Sequence, residues 1–198
     1  IVRPMMREKS QFSYLAMKIR IGRVSRIAII MNGSPLFNGD AGSGYNMIRK
    51  WIVESDLLEA IIALPTDMFF NTGISTYVWI LTNIKPQKRK GKIQLVNAED
   101  IHSALRKNRG DKNKEITDEQ INEIIKLYSN FKENENCLVL PNNAFGYTKV
   151  TVEQPRIENE KPVKDKQGNI VADSKKRDYE KIPLTDDIDG YFEREVKP

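Results

Sequence analysis

Glycines, adjacent aromatics and clustered lysines mark the stretches of this chain whose residue types can do chemistry. Residues 32–44 (NGSPLFNGDAGSG) hold four glycines between an apolar run and a helix-like stretch. A glycine-rich turn there can aim backbone N–H groups at an anion. It has neither the G-x-x-x-x-G-K-[ST] phosphate loop nor the third glycine of the dinucleotide fingerprint. Its simplest role is a flexible connection at the carboxyl edge of a sheet, where open α/β sheets gather ligands. Asn32, Gly33 and Ser34 are therefore active-edge candidates. Phe69-Phe70-Asn71-Thr72-Gly73 is the second stretch. Two adjacent loop aromatics do not both enter a core easily, and an exposed ring beside basic residues suits a stacked nucleobase. Phe69 and Phe70 are equal candidates for that ring, and Asn71, Thr72 and Gly73 complete the loop. Third, residues 85–92 (KPQKRKGK) carry five positive charges and no acid. Lys88, Arg89, Lys90 and Lys92 are candidates for phosphate contact, and a solvated hairpin tip is the plainer reading. Arg106, Lys107, Arg109, Lys112 and Lys114 form a second basic cluster, diluted by Asp111 and Glu115.

The positioning elements read as follows. Residues 26–31 (RIAIIM) are a continuous apolar run, expected as a parallel-type strand buried on both faces. Met47, Ile48, Trp51 and Ile52 recur at helical spacing. Residues 57–65 (LLEAIIALP) and 76–83 (TYVWILTN) read as two more strands. The loop between them is too short for a crossover helix, so these two strands are expected to be antiparallel. Residues 93–98 read as a strand and 103–115 as an exposed loop. Thr117 to Phe131 is the clearest helix, with Thr117 and Gln120 fitting a capping box. Its apolar stripe is Ile121, Ile124, Ile125, Tyr128 and Phe131. Residues 138–153 suggest a small β element. Gly168-Asn169 can turn a hairpin, and 185–196 reads as a short helix capped by Thr185. Residues 1–22 are basic and partly apolar, compatible with the remains of a helix. The expected division is 1–100, 101–153 and a charged tail, 154–198.

Composition excludes several classes. The chain has 198 residues and a net charge of +5, which permits a polyanionic partner without demanding one. One cysteine, Cys137, rules out an internal disulfide framework. One histidine, His102, makes a zinc site or a hydrolase triad improbable, so no metal is expected. No apolar run is long enough to span a bilayer and no signal peptide is visible, which points to the cytoplasm and to no membrane partner. The chain opens with Ile1 and stops at Pro198 after a helix-like stretch, which reads as a piece of a longer protein.

Ser34-Pro35-Leu36-Phe37 looks like a damaged form of the [NDS]-P-P-[YFW] tetrapeptide of amino-methylating enzymes. There, acceptors hold the exocyclic amine and the ring stacks on its base. The second proline is missing here, so no catalytic residue is assigned to the stretch.

Residues 22–98 resemble the modification subunits of type I restriction–modification systems, which are N6-adenine DNA methyltransferases. The matching residues are RIAIIMNGSPLFNGDAGSG, IRKWIVESDLLEAIIALPTDMFFNTGISTYVWILTN and KRKGKIQLVNA. KNKEITDEQINEIIKLYSNF and FGYTKVTVEQP look like the continuation, and the most specific part is LP-x-x-x-F-x-N-T-G-I. The resemblance implies a partial class I S-adenosylmethionine-dependent methyltransferase fold, a Rossmann-like α/β sheet with one antiparallel strand, followed by an α+β extension. In it, 26–31, 57–64 and 77–82 match the fifth, sixth and antiparallel seventh strands. It further implies a bacterial DNA-methylating parent that uses S-adenosylmethionine and works with duplex DNA and with specificity and restriction subunits. The family's cofactor loop and its Asn-Pro-Pro-Phe both lie upstream of this segment. The chain alone is therefore expected to bind no cofactor and to be inactive. In related enzymes the loop between the sixth and seventh strands carries an aromatic against the flipped base, which here means Phe69 or Phe70. The alternative is a non-enzymatic nucleic-acid-binding module, or a subunit-docking module built on the 117–131 helix and the charged tail.

Overall fold

A computed structural model describes residues 25–70 and 72–196. The helix suggested for residues 1–22 and the loop residue Asn71 lie outside them. The chain forms two compact units that divide after Asn142.

The first unit is a mixed α/β sheet with helices on both faces. Its elements are β1 (Arg26–Asn32), a single helical turn α1 (Ser34–Phe37), α2 (Gly44–Glu54), β2 (Leu58–Leu64), β3 (Thr76–Thr82), β4 (Lys92–Asn97), β5 (Ser103–Arg109), β6 (Lys112–Glu115), α3 (Asp118–Asn130) and β7 (Cys137–Pro141). The five-stranded sheet has the order β1-β3-β2-β4-β7. β3 is antiparallel to both β1 and β2, whereas β2 and β4 are parallel. The antiparallel pairing read from the short loop is therefore present. β1 and β2 run in the same direction with β3 between them.

β-Branched and aromatic residues fill the central strands because both of their faces are covered. On one face Ile52 of α2 packs with Leu58, Ile61, Trp79, Leu81 and Ile93. On the other Ile124 of α3 packs with Ala60, Ile62, Ile80 and Val96. β1 departs from the expected two-sided burial. Its exposure alternates, and Ile30 is 55% exposed. It pairs only with β3 among the described residues, and Ile27, Ile29 and Met31 alone join the core.

Local signals explain the helices. Ser43 caps α2 by accepting from Asn46 N at 3.3 Å. Thr117 and Gln120 form the reciprocal capping box of α3. The α3 stripe is only partly buried: Ile124 is 8% exposed, but Ile121 and Ile125 are 44% and 51%. Residues 103–115 are not a loop but the β5–β6 hairpin, turned at Gly110.

Asp56 ties three connections together. It accepts from Lys85 Nζ at 2.6 Å, Asn142 Nδ2 at 2.9 Å and Gly91 N at 3.0 Å. Burial pushes its carboxyl up, but the bonds from Lys85, Asn142 and Gly91 outweigh this and hold it below the ordinary aspartate value. Burial pulls the Lys85 ammonium down, against the opposing pull of Asp56.

The second unit is built on β8 (Tyr147–Val152), which pairs antiparallel with β11 (Asp178–Pro183). Between them lie the two-residue strands β9 (Ile157–Glu158) and β10 (Lys161–Pro162), and a turn at Gly168, φ +90°. The helix expected at 185–196 starts as α4 (Ile188–Tyr191) and continues as a π-helical turn, Phe192–Val196; it is capped by Asp187, which accepts from Gly190 N at 2.8 Å. Thr185, the expected cap, lies too early in the chain. The boundaries expected at 100 and 153 shift for one reason, long-range pairing. β7 joins β4, and β8 joins β11.

Candidate nucleic-acid interface

Register alone brings three loops to one edge of the sheet. Asn32 and Leu64, at the ends of β1 and β2, both sit opposite Thr76, the first residue of β3. Ala63 of β2 sits opposite Asn97, the end of β4. The segments after β1, β2 and β4 therefore all leave from the carboxyl edge of the parallel strands, where α/β sheets present their sites.

The loop after β2 carries the aromatics. Phe69 is 37% exposed and Phe70 55%. Phe69 bridges to Thr72, and Thr72 Oγ1 accepts from Ile74 N at 3.3 Å. Gly73 is exposed, and a Cβ there would stand 2.6 Å from Asp67 Oδ1. The β5–β6 hairpin clamps this loop from outside. Asp111 N donates to Phe70 O at 3.1 Å. Asn113 N and Lys114 N donate to Asp67 O at 3.1 and 3.3 Å. Lys114 Nζ reaches Thr66 Oγ1 at 3.2 Å, and Lys112 Nζ stands 5.6 Å from the Phe70 ring centroid. The exposed ring thus has a cation beside it.

Gly110 makes the clamp possible. Its φ is +63°, and an added Cβ would stand 2.5 Å from Phe70 O. Gly110→Ala is expected to cost about 1–2 kcal/mol for the left-handed backbone alone. The clash adds to that cost by pushing the hairpin off the loop. Amide exchange reads this out: the Asp111 and Asn113 protons should exchange faster in the variant. Unchanged exchange at both would show that the clamp does not depend on the glycine.

The segment after β1 is pinned differently. Ser34 N donates to Asn32 Oδ1 at 3.1 Å, and Leu36 N and Phe37 N donate to Gly33 O at 2.9 and 3.3 Å. Arg49 of α2 donates to the carbonyls of Pro35 at 3.0 Å, Asn38, and Gly39 at 3.1 Å. The sequence reading did not single out Arg49, because nothing local distinguishes an arginine that clips a distant turn. The amides of Ser34, Leu36, Phe37 and Asn38 and the carbonyls of Gly33, Ser34, Pro35, Asn38 and Gly39 are bonded within the segment or to Arg49, and a Cβ at Gly33 would already touch the Phe37 and Tyr77 rings. The carbonyl of Pro35 is thus engaged by Arg49. Phe37 is 74% exposed at the same edge.

The 85–92 run lies elsewhere. It follows the end of β3 and precedes the start of β4, at the opposite edge of the sheet. A seven-residue strand separates the edges by roughly 20 Å. Lys88, Lys90 and Lys92 are exposed there. Arg89, expected at the surface, is 3% exposed. Its Nε pairs with Glu59 Oε1 at 3.2 Å, and its NH1 donates to Gln94 Oε1 at 2.8 Å. Its guanidinium stacks 4.5 and 4.2 Å from the Tyr128 and Phe131 ring centroids. Burial pulls the Arg89 pKa down. Arg89 leaves the set of surface phosphate contacts because a buried carboxylate claims it. Glu59 was not anticipated either. It stands 1% exposed inside β2 and also takes Arg26 Nε at 3.0 Å. The sequence signal was a lone acid inside an apolar run.

Among the described residues no cluster of three metal-ligating side chains occurs, and no helix is long and apolar enough to cross a membrane.

The profile of the N-6 DNA Methylase family matches residues 3–168. The chain is 32% identical over 133 residues to the MjaVII methylase subunit of a type I restriction enzyme of Methanocaldococcus jannaschii, covering 65% of this chain and 21% of that protein. It is 41% identical over 69 residues to the HindI methylase subunit of Haemophilus influenzae, covering 33% of this chain and 15% of that protein. The chain thus spans only 21% and 15% of the length of these two curated relatives. Among solved structures it superposes on the type I restriction–modification methyltransferase subunit of Streptococcus thermophilus with a TM-score of 0.51. That match has 23% identity and covers 60% of this chain and 23% of that one, which shows a shared fold.

Proposed function

The chain belongs to the N-6 DNA methylase family, and on that premise we propose that it is part of the modification subunit of a type I restriction–modification system. The whole protein transfers a methyl group from S-adenosylmethionine to N6 of adenine in duplex DNA, in the cytoplasm, together with specificity and restriction subunits. In this reading β1, β2 and β3 are the fifth, sixth and antiparallel seventh strands of the methyltransferase sheet. The observation that carries it is the exposed Phe70 ring on the β2–β3 loop, at the carboxyl edge. Phe70 stacks on the extruded adenine and returns part of the few kcal/mol that unstacking costs. Phe69, less exposed and bridged to Thr72, supports the loop. Asn32, Gly33, Ser34, Thr72 and Gly73 belong to the segments at the same edge. The methyl donor is held by parts of the whole protein outside this segment, and the chain alone is inactive. A second reading, a docking module for another subunit, draws on the exposure of Ile121 and Ile125 on α3.

The test is methyl transfer from radiolabelled S-adenosylmethionine to duplex DNA, followed by nucleoside analysis. The full-length methylase containing this chain is expected to yield N6-methyladenine, and the 198-residue chain none. Label on cytosine, or no label with the complete protein, overturns the reading. Turnover by the chain alone overturns its inactivity.

A further inference from the structure

The two basic clusters have different fates in the fold, and the difference identifies a contact surface. In the 85–92 segment, Lys85 and Arg89 are buried and neutralised by Asp56 and Glu59. In the β5–β6 hairpin, Arg106, Lys107 and Arg109 are exposed, and no described residue forms an ion pair with them. Across the hairpin tip, Arg109 sits directly opposite Lys112. Like charges facing each other across a strand pair weaken it. A polyanion laid along the hairpin removes that penalty. From Arg106 to Arg109 the strand covers roughly 10 Å, close to the rise of three base pairs of duplex. The hairpin is also fixed, through Asp111 and Asn113, to the backbone of the loop that presents Phe70.

We infer that the β5–β6 hairpin is a phosphate-contacting arm, which seats the backbone of duplex DNA beside the base taken up at Phe70. The inference rests on the proposed DNA-facing role of the carboxyl edge. It replaces Lys88, Lys90 and Lys92 as the phosphate contacts of that face. These lysines lie a strand length away and do not share a footprint with Phe70.

The experiment is fluorescence anisotropy of a labelled random-sequence duplex with the 198-residue chain across a salt series. Two charge-matched triple variants are compared: Arg106→Ala with Lys107→Ala and Arg109→Ala, and Lys88→Ala with Lys90→Ala and Lys92→Ala. Circular dichroism checks their folding, and Arg→Gln replacements stand in for any that fail. The hairpin triple is expected to weaken binding alike for different sequences and to lower the log–log salt slope by about 3. The 85–92 triple is expected to keep the wild-type slope. Equal effects of the two triples, or none from the hairpin triple, overturn the inference while leaving the DNA reading in place. A wild-type chain that binds no duplex at any salt overturns the DNA reading itself. Equal capture of polyglutamate, with the same loss in the hairpin triple, assigns the arm to an acidic protein instead.

Discussion

Replacing Glu59 with alanine is expected to destabilise the first unit by about 3–5 kcal/mol, enough to unfold much of it at physiological temperature. The reason is what the substitution leaves behind. Arg89 is buried against Tyr128 and Phe131, and its charge is balanced by the Glu59 carboxylate. With the carboxylate gone, a guanidinium remains in a site that water does not reach. The same network links the sheet to α3. Arg89 donates to Tyr128 O, and Gln94 Nε2 donates to Leu127 O at 3.0 Å. Arg26 matters less, because its side chain is 53% exposed and water can take over from Glu59. Urea denaturation is the measurement. A Glu59→Ala variant within about 1 kcal/mol of wild type would show that the network contributes little. The double variant Glu59→Leu with Arg89→Met should recover most of the loss, since removing both charges leaves no buried ion unpaired.

The second large effect is expected at Phe70, in the full-length methylase. Base–aromatic stacking contributes about 1–3 kcal/mol. Phe70→Ala should therefore lower kcat/KM for adenine methylation about 5- to 150-fold. Phe70→Tyr should keep most of the activity, because the stacking face remains. Phe69→Ala should have the smaller effect on chemistry, as its ring is less exposed and its backbone bridges Thr72. A duplex whose target base has been removed separates stacking from loop collapse. On it, wild type and Phe70→Ala should bind alike. If the deficit persists without the base, Phe70 acts by shaping the loop rather than by stacking.

Local periodicity carried much of this fold. The β-branched runs at 26–31, 57–65 and 76–83, the Thr117–Gln120 capping box and the short connection before β3 each act within a few residues. They are legible for that reason. The candidate site was legible to the level of its loops. Phe69 and Phe70 were singled out as adjacent loop aromatics, and Phe70 proves the more exposed. The charges were the least legible part. Residues 85–92 and 106–114 look alike as strings of lysine and arginine. One string lost Lys85 and Arg89 to the carboxylates of Asp56 and Glu59, 29 and 30 positions earlier, while Arg106, Lys107 and Arg109 of the other stayed at the surface.

What the sequence determined by itself is most of the elements, the β5–β6 hairpin excepted, the direction of β3 and the family, because these depend on short-range pattern and on matched residues. Tertiary structure alone decided which edge each loop occupies, which cations remain in water and where the two units divide. Those outcomes depend on pairings such as β4 with β7 and β8 with β11. Such contacts join segments far apart in the chain, and no local pattern encodes them, because the energy of burying a charge or completing a sheet belongs to both partners at once.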